Sequence, residues 1–306
     1  MSYRRELARV APSRDTVLTL GVFDGVHLGH CHLLRRLVQV ALPAYLPAVV
    51  TFINHPRNVL RPGSNVRYIV DPEKKIGLLQ EQSMDIVVPL EFTLELSLVS
   101  ARDFAALLVE LLKMKGLVVG PDFAVGHNRE GNINVLRQLG SELGFWVELV
   151  EPLYLDGVLV KSSRIREAVS QGDLDACARL LGRRFSSSGV VVEGDGRGRE
   201  LGFPTANVAV GPQMLLPGDG IYASWAIING VRRPSATSVG VRPTFGLSER
   251  LVEVYIMDYE ADLYGQQIEV EFVGKLREQE TFPNVAALIE QIDRDVANAR
   301  LALARG

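Results

Sequence analysis

Residues Gly21–His30 read GVFDGVHLGH and place two imidazoles, His27 and His30, on either side of Gly29. A short apolar run, Thr16 to Leu20, precedes them. A run with helical apolar spacing follows through Leu33, Leu34, Leu37, Val38 and Leu42. The segment therefore reads as strand, tight glycine turn and helix start. Such a turn aims backbone N–H groups and the positive end of a helix at whatever sits above it, which is a phosphate site in outline. A Walker loop would carry a lysine here; this turn carries Phe23, Asp24 and the two histidines instead. Imidazole can donate hydrogen bonds to phosphate oxygens as charge develops in a transition state. The chemistry indicated is nucleotidyl transfer, with Gly21, Phe23, Asp24 and Gly29 part of the same nucleotide-binding turn. Histidines three apart also suit a metal pair, and His32 adds a third. No Cys or carboxylate cluster at ligand spacing accompanies them.

Other stretches carry chemistry of the same kind. TFINHP presents Asn54 and His55 at a strand tip that Pro56 is expected to end. GPDFAVGHNREG offers Asp122, two glycines and Arg129, which suit a nucleotide or its phosphates; a solvated loop is the plain alternative. In KSSRIREAV, Ser162 or Ser163 is a natural N-cap for a short helix running to Val169. Arg164 and Arg166 are then expected in its first turn. Cations there oppose the helix dipole by roughly 0.3–1 kcal/mol each, a cost more easily borne when an anion occupies the site.

Further along, GDGRGRELGFPTAN is a glycine-rich loop. The backbone around Gly194, Gly196, Gly198 and Gly202 could wrap phosphates, up to Pro204. The Thr205 hydroxyl and Asn207 amide oxygen are hard ligands suited to Mg2+. In LVEVYIMD, Glu253 shares a strand face with Leu251, Tyr255 and Met257. A carboxylate among apolar neighbours is a candidate general base, with a rim glutamate as the plain alternative. Arg242 to Phe245 (RPTF) reads as a turn after a strand.

These residues need elements to position them. Up to about residue 160, short apolar runs alternate with amphipathic ones. Strands are expected at 17–22, 48–52, 86–89, 117–120 and 146–150, and helices at 30–41, 72–82, 101–113 and 134–143. That order means a parallel, Rossmann-like α/β sheet with helices on both faces. Ligands in such sheets bind beyond the carboxyl ends of the strands, where each of these motifs falls. Asp173 should cap a helix to Leu181, and Gly182-Arg183-Arg184 with Ser186–Ser188 marks a boundary. The expected domains are thus 1–182 and 183–306. Beyond the boundary, strands are expected at 190–193, 221–228, 235–239, 251–259 and 268–273. Asn229-Gly230 is a type I′ hairpin signal, and a final helix spans 285–303. This pattern predicts an antiparallel β-barrel with a terminal helix.

The 306 residues suffice for two domains. A hydrophobic fraction of 47% with 23% charged residues fits a globular protein, and a net charge of −3 gives no general pull toward nucleic acid or membrane. The first ten residues hold Arg4, Arg5, Glu6 and Arg9 and no apolar signal core. Cys31 and Cys177 have no motif spacing and read as reduced thiols. A cytoplasmic protein is expected, a monomer or weak oligomer acting on small molecules.

Taken in order, GVFDGVHLGH, the His-Pro turn, GPDF with Gly126 and Arg129, and SSRIR resemble the adenylyltransferase half of bacterial bifunctional riboflavin kinase/FAD synthetases. LGFPTAN, GIYA, GVRPTF, VEVYIMD and DLYG resemble the riboflavin kinase module. The resemblance implies transfer of the ATP γ-phosphate to riboflavin in the second half. In the first half it implies transfer of AMP to FMN, giving FAD and pyrophosphate, with Mg2+ needed by both. It assigns His27 and His30 to the α-phosphate transition state and Ser163, Arg164 and Arg166 to the β,γ-phosphates. Asn54, Asp122 and Arg129 would line the flavin and nucleotide cleft. Thr205 and Asn207 would hold Mg2+ and phosphates, and Glu253 would orient or deprotonate the attacking hydroxyl. The chain departs from the family pattern at Val125, Lys161 and Asn54. A kinase with an impaired adenylyltransferase half, and a non-catalytic flavin-binding carrier, are the alternative readings.

Overall fold

The structure, a computed structural model, describes residues 2–61, 63–194, 196–244 and 247–305, without the side chains of 197, 241–244 and 247–249. The chain forms two compact units. Met1–Val66 and Pro72–Lys161 make the first; Arg67–Asp71 and Ser162–Gly306 make the second. The helices expected at the end of the first domain, before the boundary at Gly182, therefore group with the second unit.

In the first unit, β1 (Thr16–Gly21), β2 (Leu46–Phe52), β3 (Ile86–Leu90), β4 (Met114–Val119) and β5 (Trp146–Leu149) form one parallel sheet in the order β3-β2-β1-β4-β5. Its helices are α1 (Ser2–Ala8), α2 (Leu28–Ala41), α3 (Pro56–Leu60), α4 (Pro72–Gln80), α5 (Leu94–Ser97), α6 (Ala101–Leu112) and α7 (Ile133–Leu143). Side chains alternate across a strand, so the apolar run of β1 serves two cores. Leu18 and Leu20 pack with Leu7 of α1, Phe104 and Leu108 of α6, and Leu136 of α7. Val17 packs on the other face with Leu34 and Leu37 of α2 and Leu79 of α4. Each fully buried leucine contributes about 1.5–3 kcal/mol, enough collectively to hold the strand tips in place. A two-stranded ribbon, β6 (Tyr154–Leu155) and β7 (Val158–Leu159), closes the unit.

The expected strands and helices recur with shifted ends, and three local expectations are corrected. Pro56 does not end a strand. β2 stops at Phe52, and Pro56 opens α3, where a residue lacking N–H costs nothing; His55 Nδ1 caps that helix by accepting from Arg57 N at 3.2 Å. Neither Ser162 nor Ser163 is an N-cap, because α8 (Ser162–Gln171) already includes both. Arg164 falls in its first turn and Arg166 lies beyond it.

In the second unit, β8 (Ser186–Val192), β9 (Thr205–Val210), β10 (Gly220–Ile228), β11 (Val231–Thr244), β12 (Leu247–Ile256) and β13 (Gln267–Arg277) close an antiparallel barrel in the order β10-β11-β12-β9-β8-β13. α9 (Leu174–Leu181) is capped by Asp173, whose carboxylate accepts from Ala176 N. α10 (Arg197–Glu200) is a single turn, and α11 (Val285–Ala304) is the terminal helix. Asn229 and Gly230 both take positive φ, 49° and 79°, as a type I′ turn requires. Arg242–Thr244, expected as a turn, extend β11 opposite Leu247–Glu249; Phe245 lies outside the described residues. Inside the barrel, Tyr222 stacks edge-on against Phe272 at 5.6 Å. The fully buried hydroxyls of Ser224, Ser235 and Thr237 bond one another, so none is left unsatisfied.

Candidate functional site

In the first unit the chain leaves β1 toward β2 on one side and later crosses to β4 on the other. The strand order thus reverses between β1 and β4, and a parallel sheet binds ligands outside that switch point. Gly21 ends β1, and the turn that follows is bent by force: Phe23 and Val26 take φ of 50° and 38°, a left-handed region that non-glycine residues, above all β-branched ones, rarely enter. Strain of this kind costs of order 1–3 kcal/mol per residue and persists only where the surroundings hold it. Phe23, Asp24 and His27 are all buried here.

His27 is the N-cap of α2. Its Nδ1 accepts from His30 N at 3.2 Å, which leaves the ring proton of the neutral imidazole on Nε2. The His27 and His30 rings stack with centroids 3.5 Å apart and planes 16° from parallel, and the Phe23 ring meets His30 edge-on at 5.1 Å. Only glycine fits at position 29: a Cβ there would lie 2.9 Å from Val160 O and 3.1 Å from the His27 ring. The turn is therefore a rigid mount for paired imidazoles.

The strand tips around it carry the other first-unit candidates. After β4, Arg129 Nη2 donates to the backbone carbonyl of Asp122 at 2.8 Å, which brings these two exposed residues together. Their loop closes by a bridge between Val125 and Gly131 and is pinned to α6 where Glu130 Oε1 accepts from Ala101 N at 2.7 Å. Asn54 is spent differently. Its Nδ2 donates to Phe92 O at 2.8 Å and its Oδ1 accepts from Phe92 N at 2.7 Å. It clamps the backbone after β3, and each amide atom has a second hydrogen-bonding position besides.

Sequence reasoning missed Lys75. It sits on α4, 3% exposed, and its Nζ donates to Val22 O at 3.1 Å and to Phe52 O at 2.5 Å. Burial pushes its ammonium down to about 8, and the charge of Asp24 opposes that shift. A lysine in an amphipathic helix reads as solvated; the only sequence signal is its place on the helix face shared with Leu79. In the second unit, Ser163 and Arg164 are exposed on α8, Ser162 is half-buried, and Arg166 Nε donates to Arg67 O at 2.9 Å.

The second unit holds a cavity of about 500 Å³. Register builds its polar wall. Asn207 on β9 lies opposite Glu253 on β12, which lies opposite Ser238 on β11; one step along, Thr205 faces Tyr255. Thr205 and Asn207 are two residues apart and so share a face, as do Glu253 and Tyr255. Leu251 lines the cavity with them, whereas Met257 lies past the strand end in the apolar core. The glycine-rich loop packs directly on this row. A Cβ on Gly194 would fall 2.0 Å from Asn207 Nδ2, and one on Gly198 would fall 3.2 Å from Thr205 Oγ1. The loop includes the single turn of α10 and is closed where Phe203 N donates to Gly198 O at 2.8 Å. Gly196 and Gly202 supply its positive φ values, and Gly196 and Pro204 line the cavity. Phe282, Leu288, Ile292 and Val296 form an apolar wall opposite. It is fixed by Arg277, which holds the buried Asp295 carboxylate of α11 with three contacts of 2.7–3.1 Å.

The donor set suits a hard cation. Two neutral oxygens beside a glycine cradle match the sparse protein ligation of Mg2+, which takes most of its oxygens from phosphates and water. Among the described residues no helix is long and apolar enough to cross a membrane.

Two family models match successive parts of the chain: FAD synthetase over residues 10–164 and riboflavin kinase over residues 181–303. Proteins named bifunctional riboflavin kinase/FMN adenylyltransferase are similar along nearly the whole length. The one from Pseudomonas fluorescens is 36% identical over 98% of this chain and 97% of its own. That from Escherichia coli strain K12 is 35% identical over 95% and 93%. A solved structure described as a macrolide-efflux protein from Streptococcus pneumoniae superposes with a TM-score of 0.89 at 28% identity, covering 98% of this chain and 97% of that one. Its description is at odds with the names of the relatives, and the likeness of fold is what it contributes. Both transferase domains are present in order, and the chain belongs to the family of bifunctional riboflavin kinases/FMN adenylyltransferases.

Proposed function

We propose that the two transfers run at separate residue sets: riboflavin to FMN in the barrel cavity, and FMN to FAD at the turn after β1. The kinase reading is carried by the row Asn207–Glu253 under the glycine loop. There the riboflavin 5′-hydroxyl oxygen attacks the ATP γ-phosphorus, the bond from that phosphorus to the β,γ-bridging oxygen breaks, and ADP leaves. Glu253 orients the hydroxyl and accepts its proton. Thr205 and Asn207 would hold Mg2+, which when bound neutralises phosphate charge. Backbone N–H groups at Gly194, Gly196 and Gly198 cradle the phosphates, since those of Arg199 to Gly202 donate within the loop, and the apolar wall takes the flavin ring. Phosphoryl transfer depends mostly on positioning and charge neutralisation, so the cation ligands should outweigh the base.

In the second transfer an FMN phosphate oxygen attacks the ATP α-phosphorus and pyrophosphate leaves with the bridging oxygen. His27, with its proton on Nε2, donates to the α-phosphate as charge builds, and the stacked His30 shares that role. Gly21, Phe23, Asp24 and Gly29 shape the nucleotide's seat, and Asp122 and Arg129 bound it. Ser162, Ser163, Arg164 and Arg166 are assigned to the β,γ-phosphates on the family resemblance. Substrates are small molecules, and the setting proposed is the cytoplasm.

The test is chromatography of flavins after incubating the protein with riboflavin, ATP and Mg2+. FMN followed by FAD is the expected result. FMN alone would mean an impaired adenylyltransferase half, and unchanged riboflavin in a protein that still binds it would mean a carrier.

A further inference from the structure

Lys75 is a buried cation that no part of this mechanism uses. We infer that Lys75 is a positioning residue for adenylyl transfer, holding the strained turn that mounts His27 and His30; this rests on the reading of that turn as the FMN-adenylylating site. The geometry is specific. Val22 is the first residue past β1, and Phe52 is the last of β2. Lys75 Nζ reaches both carbonyls and so fastens the carboxyl ends of two neighbouring strands to α4. The Val22 carbonyl also accepts from Thr51 Oγ1 at 3.0 Å, which fixes the residue immediately before Phe23 from two sides. Phe23 and Val26 then take their positive φ values, and the buried carboxylate of Asp24 lies between them in sequence. An ammonium group supplies three donors and a charge opposite to that of Asp24 at one buried point. A neutral side chain of the same length supplies neither.

A cation kept at 3% exposure is costly unless it is paired and hydrogen-bonded. The hydrogen-bond partners here are the carbonyls at the tips of β1 and β2, with the charge of Asp24 nearby, so the organisation gained is local to the base of the turn. Lys75 does not need to touch a nucleotide: it acts by keeping His27 and His30 where the α-phosphate charge develops. A misplacement of about 1 Å at such a site costs on the order of 10²-fold in rate.

The experiment measures FMN adenylylation and riboflavin phosphorylation in the full-length protein for wild type, Lys75→Met, Lys75→Arg and His27→Ala. Lys75→Met should lower kcat for FAD formation about 10- to 100-fold. KM for ATP and FMN and the rate of FMN formation should stay near wild type. Lys75→Arg keeps charge and donors and should recover most of the loss. A wild-type kcat in Lys75→Met, a loss confined to KM, or a loss that reflects only a smaller folded fraction would overturn the inference. If Lys75→Met does not fold, Lys75→Gln takes its place in the same comparison with Lys75→Arg. Undiminished FAD formation by His27→Ala would instead overturn the reading of the turn itself, so the two failures are separable.

Discussion

On the proposed reading, the two candidate sites solve the same problem, holding groups against the phosphates of ATP, with opposite kinds of backbone. The barrel cavity is built on straight strands in register. Asn207, Glu253 and Ser238 face one another because β9, β12 and β11 pair there. The adenylyl-transfer turn has no such ladder. Its backbone passes through two unfavourable φ values, and its histidines are placed by a cap, a ring stack and a lysine beneath. A ladder spreads positional control over many hydrogen bonds, whereas a turn concentrates it in a few. Single substitutions near the turn should therefore reach its chemistry from farther away.

The largest contrast is expected at the histidines. Replacing His27 by alanine removes both the proposed donor to the α-phosphate and the cap that accepts from His30 N. FAD formation should fall about 10²–10³-fold, the usual loss of an oxyanion donor, while FMN formation persists. A coupled assay on riboflavin would then show FMN accumulating. Loss of both activities would break the comparison, since the sites would not be separable.

The glycines sharpen it. A Cβ at position 194 meets the Asn207 amide at 2.0 Å, and one at position 29 meets Val160 O at 2.9 Å. Gly194→Ala must push the Asn207 amide aside, so riboflavin phosphorylation should drop about 10- to 100-fold while FMN supplied directly is still adenylylated. Gly29→Ala asks the Val160 backbone carbonyl and the His27 ring each to give by a few tenths of an ångström. A milder loss, about tenfold and confined to FAD formation, is expected. Steady-state rates on each substrate decide between them. A larger loss at position 29 than at 194 would mean the turn tolerates even less displacement than the ladder.

Much of this was legible in the sequence, for reasons that differ by element. β1 and α6 were readable because their apolar runs face cores that accept nothing else: Leu18, Leu20, Phe104 and Leu108 leave little choice. α1 was not, since Arg4, Arg5 and Glu6 surround its two buried residues, Tyr3 and Leu7. β9 reads as the end of a loop because the glycine run and Pro204 lead straight into it and Ala206 and Asn207 disfavour a strand. Pairing with β8 and β12, which are distant or later in the chain, makes it a strand. The residue types at both sites were visible, but their partners were not. The stack of His27 on His30 depends on φ values that no pattern reveals, and Lys75 is recognisable only once the tips of β1 and β2 are known to converge on it. The family resemblance places Asn54 at the ligand cleft, and nothing in the sequence shows that its amide also bonds both backbone groups of Phe92.

The smallest effect expected concerns the two thiols and probes the turn without altering it genetically. Cys177 is fully buried on α9, and burial pushes its thiol up to about 12. At pH 8 it remains protonated, and a protonated, inaccessible thiol does not react with alkylating agents. Cys31 lies one residue past His30 in the first turn of α2, half-buried, with its Sγ 3.7 Å from Val26 O, so it touches the strained turn directly. Iodoacetamide at pH 8 should therefore modify one thiol per chain, identified by peptide mass as Cys31. The added group displaces the contact to Val26, whose backbone is already strained, and a shift there passes through the cap to His27. FAD formation should fall by a few-fold, less than for Gly29→Ala, and FMN formation should be unchanged, because no strand of the barrel carries either cysteine. Labelling of Cys31 with full retention of FAD formation would place the rigidity of the mount in Lys75 and the histidine stack alone, and would narrow the sensitive part of the turn to Val22–His30.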